Sequence, residues 1–195
     1  MDTEMDSDTT AGEVDLTVDD IFDLLASGAH RPLSPTVPVS QLDHALQTAA
    51  LLARSQPADV ELAVAGLVHD IGHLLAGGRD ETHAEDAAAA VRRVLGERVA
   101  GIVGLHVEAK RYLVGTEPGY GGELSSDSVV SLGRQGGALG EPERAAFLAL
   151  PFAGDAVVLR RADDHGKAEG LEVPGADHWV PVLQKLADGG AAGPN

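Results

Sequence analysis

Apolar residues recur at helical spacing along most of this chain. Leu42, Ala45, Leu46, Ala49 and Leu52 fall at steps of three and four, which predicts one face of a helix, and Ser40 with Asp43 before it reads as a capping box. Thr17, Asp19 and Asp20 start a shorter helix through Ile21, Leu24 and Leu25 that ends at Gly28. Asp59 starts a third, whose Leu62, Ala63, Gly66 and Leu67 lead into His69 and Asp70. His83 opens an alanine-rich helix that runs to Leu95, with Gly96 as its stop, and a further one from Glu97 through Val99, Ile102 and Val103 ends near His106.

Breakers set the segments between. Pro32, Pro35 and Pro38 forbid a helix from His30 to Val39 and predict an extended strap over the surface. Gly115 to Gly122 reads as a turn, Leu124 to Ser128 begins a helix that ends at Gln135-Gly136-Gly137, and Pro142 sits at the first position of a segment through Phe147 and Leu150. A helix over Asp155 to Asp164 closes at His165-Gly166-Lys167, and a short final helix surrounds Trp179, Val182 and Leu183. The expected organisation is an acidic, disordered leader over 1–16, one domain over 17–187 and a flexible Gly/Ala tail over 188–195. No alternating strand pattern appears, so the fold class is all-α.

Composition narrows this further. With aromatics at 3%, the core of a 195-residue chain must be Leu, Val, Ile and Ala packed between helices. Thirty-one acidic against 14 basic side chains leave a formal charge of −17, which speaks against binding nucleic acid or an anionic membrane. An anionic substrate must therefore meet a local positive site. The absence of cysteine excludes disulfides, thiolate metal sites and a thiol nucleophile. No apolar run reaches 18 residues and the first residues lack a basic signal start, so a cytoplasmic protein is expected. No obligate protein partner is evident.

The chemistry concentrates around His69-Asp70. Neighbouring helix residues point about 100° apart, so this pair can serve two adjacent metal ions with the carboxylate shared. The plain alternative is an imidazole facing the carbonyls at a helix end. Against it stand His44, His73, His83 and His106, which fall at helix-scale intervals around the doublet in a chain of eight histidines. A zinc-protease reading of His69 and His73 fails because Gly72 weakens the helix and Asp70 stands where glutamate is needed. His44, His69, Asp70, His83, His106 and one late aspartate supply four imidazoles and two carboxylates. That set suits Fe, Mn, Zn or Ni and fits two ions with open positions better than one tetrahedral ion.

This arrangement resembles the HD-domain superfamily, a helical bundle with metal in its core that carries phosphohydrolases and a smaller branch of diiron oxygenases. His106 to Leu113, Leu124-Ser125 with Ser128, Gln135-Gly136-Gly137, and Arg160 to Asp163 with Gly166-Lys167 extend the likeness to the phosphonate-cleaving HD-domain dioxygenases. The resemblance covers roughly residues 40–180 and implies that His44, His69, Asp70, His83, His106 and Asp163 hold an Fe(II)/Fe(III) pair bridged by Asp70, with Asp164 the rival for Asp163. It further implies catalytic roles for Asp70, His73 and Lys110, and substrate binding by His73, Lys110, Ser128, Gln135 and Arg160. The implied reaction uses O2 to split a small anionic 1-hydroxyphosphonate into phosphate and a carboxylic acid, the charges of the ions and of Lys110 drawing in the dianion.

One departure matters. Where members that act on amino-bearing substrates carry a Tyr and a Glu before the first histidine, this chain has Ser34 and Val37. The expected substrate therefore lacks a primary ammonium, unless another acid such as Asp43 holds it. Blander roles remain open: Lys110 and Arg111 as surface charges, Ser125, Ser126 or Ser128 as helix caps, and His73 as a neighbour of a ligand. The rival functions are a metal-dependent phosphohydrolase acting on an ester and a non-catalytic metal-stabilised binding module.

Overall fold

A computed structural model describes residues 16–76 and 78–190. Ten α-helices appear among them in chain order: α1 (Val18–Ser27), α2 (Gln41–Ser55), α3 (Val60–Val68), α4 (His83–Gly104), α5 (His106–Thr116), α6 (Tyr120–Glu123), α7 (Ser126–Arg134), α8 (Glu141–Leu148), α9 (Ala153–His165) and α10 (Ala176–Gly190). Two 3-10 turns, Gly28–His30 and Ile71–His73, interrupt the connections. No strand occurs among the described residues, and one isolated bridge joins Pro32 to Ser40 across the base of the strap.

The helices begin where side chains can satisfy free backbone N–H groups. Thr17 and Asp20 cap each other reciprocally, Ser40 accepts from the Asp43 N–H at 3.0 Å, Asp59 from Leu62 at 3.1 Å and Ser125 from Ser128 at 3.2 Å. Each such cap stabilises its helix by about 1 kcal/mol. α2 and α3 lie against each other and against α9, and α4 packs on α3 with α10 and α1 closing the far side. Leu52, Leu67, Ile102 and Leu159 are fully buried in that core, with Trp179 and Leu183 of α10 beside Ile21 and Leu25 of α1. A smaller cluster around Ala109, Leu139, Phe147 and Ala156 anchors α5, α8 and α9.

Several boundaries depart from the pattern: α6 stands in the stretch from Gly115 to Gly122 that reads as a turn, and α8 begins at Glu141, one residue before Pro142. Gly96, at φ +86°, is a kink inside α4 rather than a stop, a conformation open to glycine because it has no Cβ. His106 opens α5 instead of ending the preceding helix, since the chain breaks one residue earlier at Leu105. The final helix is longer than expected and runs to Gly190, taking in residues 188–190 of the anticipated tail, because Trp179 and Leu183 bury its inner face. Leu16, the end of the anticipated leader, packs against the core. The rest of that leader, 1–15, and residues 191–195 lie outside the described residues. No helix among the described residues is long and apolar enough to cross a membrane.

Candidate metal centre and substrate cavity

Five helices aim six donor side chains at one buried point. His44 sits near the start of α2, His69 immediately after α3, His83 and His106 at the first positions of α4 and α5, and Asp163 in the last turns of α9. Asp70 ends the α3 segment with φ −100° and ψ 8°, in the bridge region where helical continuation fails. That turn places its carboxylate between the imidazoles. Four of the six are essentially sealed: His44, His69, His106 and Asp163 expose 0, 0, 2 and 3% of their surfaces.

The donors sort into two sets that share Asp70. In one, His44 Nε2 stands 3.2 Å from His69 Nε2, 3.3 Å from Asp163 Oδ1 and 3.6 Å from Asp70 Oδ2. In the other, His83 Nε2 and His106 Nε2 are 3.0 Å apart, and each is 3.6 Å from Asp70 Oδ1. Two donors at about 2.1 Å from one ion stand roughly 3.0–3.4 Å apart, so the 3.0, 3.2 and 3.3 Å separations are those of atoms sharing a coordination sphere, and the 3.6 Å ones to Asp70 lie just outside that range.

The proton positions decide whether an ion fits. The Nδ1 of His44, His69, His83 and His106 lies 2.7–2.8 Å from the carbonyl of Gly166, Gly66, Asp80 and Val103 respectively. Each Nδ1 must therefore carry the donated hydrogen, which turns an Nε2 lone pair inward on every ring. Burial, followed by the charge of His83 and His69, holds His106 well below the usual imidazole range, which keeps its Nε2, 3.0 Å from His83 Nε2, as an acceptor. A cation fits between two nitrogens at that distance. Around His44, burial opposes a charge, but hydrogen bonds to Asp163 and Asp70 raise the imidazole to about 9, a measure of the negative field on that side. Imidazole and carboxylate donors in this geometry fit two transition-metal ions.

Beside the donors opens a cavity of about 420 Å³. His73, Lys110, Ser128, Gln135 and Arg160 all line it, so the predicted substrate residues are brought together with the predicted ligands. The His73 ring stacks on His83 with centroids 4.1 Å apart. Lys110 Nζ donates to Ser131 at 2.9 Å, and burial, with Arg160 next, lowers its ammonium to about 8. Gln135 donates to the Asp80 carbonyl at 3.3 Å while its buried Oε1 has no partner. Asp163 faces His44, whereas its rival Asp164 turns away to Tyr120 and Arg160. His30, His165 and His178 are exposed and outside this lining.

A family model described as HD domain matches residues 42–146. Over 159 residues the chain is 43% identical to hydroxymethylphosphonate dioxygenase of Gimesia maris, covering 77% of its own length and 79% of the relative's. It is 33% identical over 159 residues to the (1-hydroxy-2-(trimethylamino)ethyl)phosphonate dioxygenase (glycine-betaine-forming) of Leisingera caerulea, covering 77 and 81%. The chain belongs to the HD domain family.

Within that family it falls in the phosphonate dioxygenase branch, as the motifs from His44 to Lys167 imply. Arg160, a residue of the cavity lining, directs its guanidinium to the Tyr120 hydroxyl, Asp163 and Asp164, and so orients the carboxylate beside the imidazoles. Asp43 accepts from Ser40 at the start of α2 and is not among the cavity residues. Sequence reasoning assigns no role to Lys167, whose Nζ lies 3.1 Å from Asp163 Oδ1, or to Asp80, whose carbonyl fixes His83 and whose carboxylate meets Arg134 at 2.7 Å. Lys167 had a signal: it is one of three lysines and stands four residues after Asp163. Asp80, in a loop, had none.

Proposed function

We propose that this chain is a diiron oxygenase that uses O2 to cleave the carbon–phosphorus bond of a small 1-hydroxyphosphonate, with hydroxymethylphosphonate, the substrate in the name of the 43% identical relative, as the first to test. The observation that carries the reading is the division of His44, His69, Asp163 and of His83, His106 into two donor sets around one Asp70 carboxylate, next to a cavity that holds Lys110. The balance closes without a further reductant: hydroxymethylphosphonic acid plus O2 has the composition of formic acid plus phosphoric acid.

When bound by these six side chains, an iron pair supplies the redox change and the open positions for O2 and substrate oxygens. The chain's own residues do the rest. Lys110, held in place by Ser131, faces the phosphonate dianion with an ammonium that no described carboxylate neutralises through a salt bridge. Ser128 adds a hydroxyl beside it, and the unpartnered Gln135 Oε1 is an acceptor for a substrate O–H. Burial lowers the His73 imidazole, which leaves it neutral and able to accept a hydrogen bond or take a proton. Arg160 and Lys167 fix Asp163 from two sides, and the depth of the donors excludes bulk water.

The walls bear on the substituents a substrate can carry. Leu33, Ser34, Pro35 and Val37 of the strap line the cavity, and no Phe, Tyr or Trp is among its lining residues. A trimethylammonium group would find no aromatic face. Of the lining acids outside the donor sets, Asp80 is paired with Arg134 and Asp127 accepts from Ser34. The test is iron-loaded protein with hydroxymethylphosphonate, read by O2 uptake, phosphate release and low-temperature electron paramagnetic resonance before and after anaerobic addition. Equal uptake of O2 and release of phosphate is expected, with a coupled Fe(II)/Fe(III) signal that shifts. Phosphate released from esters without O2 uptake, and none from hydroxyphosphonates, would establish a hydrolase instead.

A further inference from the structure

Helix α9 offers the metal centre two carboxylates where one is used. Arg160, Asp163 and Asp164 stand at steps of three and four on its last turns, and Lys167 follows one turn on, past the helix end. Spacing alone lets either cation serve either acid. Arg160 reaches both, with Nη1 donating to Asp163 Oδ2 at 2.5 Å and Nη2 to Asp164 Oδ1. Lys167 Nζ stands 3.1 Å from Asp163 Oδ1 and 3.9 Å from Asp164 Oδ1. What makes the two acids unequal comes from another element. Tyr120 is the one buried residue of α6, and its hydroxyl donates to Asp164 Oδ2 while accepting from Arg160 Nε at 3.3 Å. Burial raises the phenol above its usual range, so the hydroxyl keeps the proton that it donates. Both oxygens of Asp164 are thereby taken, and Asp163 Oδ1 is left facing His44 Nε2 at 3.3 Å.

We propose that Tyr120 is a positioning residue of the metal centre: it holds Asp164 back, so that Arg160 and Lys167 stay on Asp163 and Asp163 alone faces the imidazoles. The inference rests on the two-ion reading above and goes beyond it, because Tyr120 is not among the cavity residues and its hydroxyl meets Asp164 and Arg160, not one of the six donors. Without the hydroxyl, Asp164 Oδ2 is a mostly buried carboxylate oxygen short of a partner, and the cations within reach are the two that now steady Asp163. A carboxylate so placed gains by drawing them over, since a charge away from water is costly to leave unpaired. Asp163 then loses the grip that aims it at the ion beside His44 and His69. An asparagine at 164 carries no charge and does not compete.

The test is an anaerobic EDTA titration of the Fe(II)-loaded full chain, with iron per chain counted after desalting, in wild type, Tyr120→Phe, Asp164→Asn and the double variant. Tyr120→Phe should release one of its two ions at about tenfold less EDTA and the other as wild type does, the lower end of what losing an orienting partner costs a metal site, because Tyr120 acts through Arg160 and Asp164. Asp164→Asn should release both as wild type does. The double variant should return toward wild type, a rescue that a merely structural role does not produce. Wild-type release by Tyr120→Phe, both ions loosened together, or a double variant no tighter than Tyr120→Phe overturns the proposal. If Tyr120→Phe does not fold, Asp164→Glu takes its place: the longer side chain keeps the charge but overruns the hydroxyl, and release equal to that of Asp164→Asn overturns the proposal. If a wild type that holds two ions cleaves no hydroxyphosphonate, the oxygenase reading fails by itself and ion release still decides the role of Tyr120. A wild type that holds fewer than two ions overturns both.

Discussion

Substituting Gly72 by alanine should empty half of the metal centre while the fold survives. A Cβ at this position would lie 2.0 Å from the His83 carbonyl oxygen and 2.8 Å from its carbon, where ordinary contact begins at 3.4 Å. Both obstacles are backbone, so no side chain can swing aside, and the 71–73 turn and the start of α4 must part by about 1 Å. His83 is the first residue of α4, and its Nε2 forms one half of the 3.0 Å pair with His106. A displacement of that size takes one donor out of a sphere that tolerates a few tenths of an ångström. Overpacking of this kind costs about 1–3 kcal/mol, which for a chain of this length lowers Tm by roughly 2–10 °C. The assay is elemental analysis of metal per chain together with scanning calorimetry. Gly122→Ala serves as the control, because a Cβ there meets no atom within 4 Å. Gly72→Ala should hold about one ion fewer than the control and melt lower. If the two bind metal equally, the contact does not position His83 and the assignment of His83 to the centre falls.

Other outcomes follow from the same geometry. Asp163→Asn should lose metal and destabilise the chain by about 3–5 kcal/mol, since it strips Arg160 and Lys167 of a buried carboxylate, whereas Asp164→Asn should keep its metal; elemental analysis and denaturant unfolding of the pair check this. Chelation should lower stability by about 2.7 kcal/mol per ion, measured from a starting concentration a hundredfold above Kd, because it leaves the inward lone pairs opposed; the check is Tm with and without chelator. Lys110 is charged below about pH 8 and neutral above it, so KM for a phosphonate should rise as pH passes 8 and be flat in Lys110→Met. Its ammonium titrates lower folded than unfolded, so the folded chain binds fewer protons in the window from about 8 to 10.5 and this group's contribution to stability grows with pH there; unfolding of wild type and Lys110→Met across that window reads the difference.

Much of this was legible in the chain because the candidate ligands lie on strongly patterned helices. His44 follows a capping box and shares a helix with the apolar stripe of α2, and His69 and Asp70 close an apolar run, so periodicity alone placed them near the core. The choice between Asp163 and Asp164 was not legible. Both are polar neighbours on one helix, and what separates them is Tyr120, the first residue of the short α6 44 positions away, which takes Asp164 aside. The pairing of Arg160 with Asp163 and Asp164 was hidden for the same reason, since a sequence does not show which carboxylates a cation meets. The contact of Asp127 with Ser34 and Thr36 was invisible because these are short polar residues in unpatterned segments about 90 positions apart.

The net charge of −17 and an anionic substrate are reconciled by where the few cations stand. Two of the three lysines, Lys110 and Lys167, line the cavity together with Arg160. Arg160 and Lys167 are matched by Asp163 and Asp164, so their charges steady the metal side and contribute little net attraction. Lys110 has a hydroxyl for its neighbour instead of an acid, and that neighbour, Ser131, belongs to α7. Its charge is therefore the one the site can offer to a dianion, and the depression to about 8 measures how costly it is to keep that charge buried before the dianion arrives. A phosphonate that settles against Lys110 relieves the penalty, so binding should itself take up a proton whenever the free enzyme is studied above about pH 8. The acidic exterior does not oppose this, because screening in salt confines the surface field to about 8–10 Å while the cavity charge acts at contact.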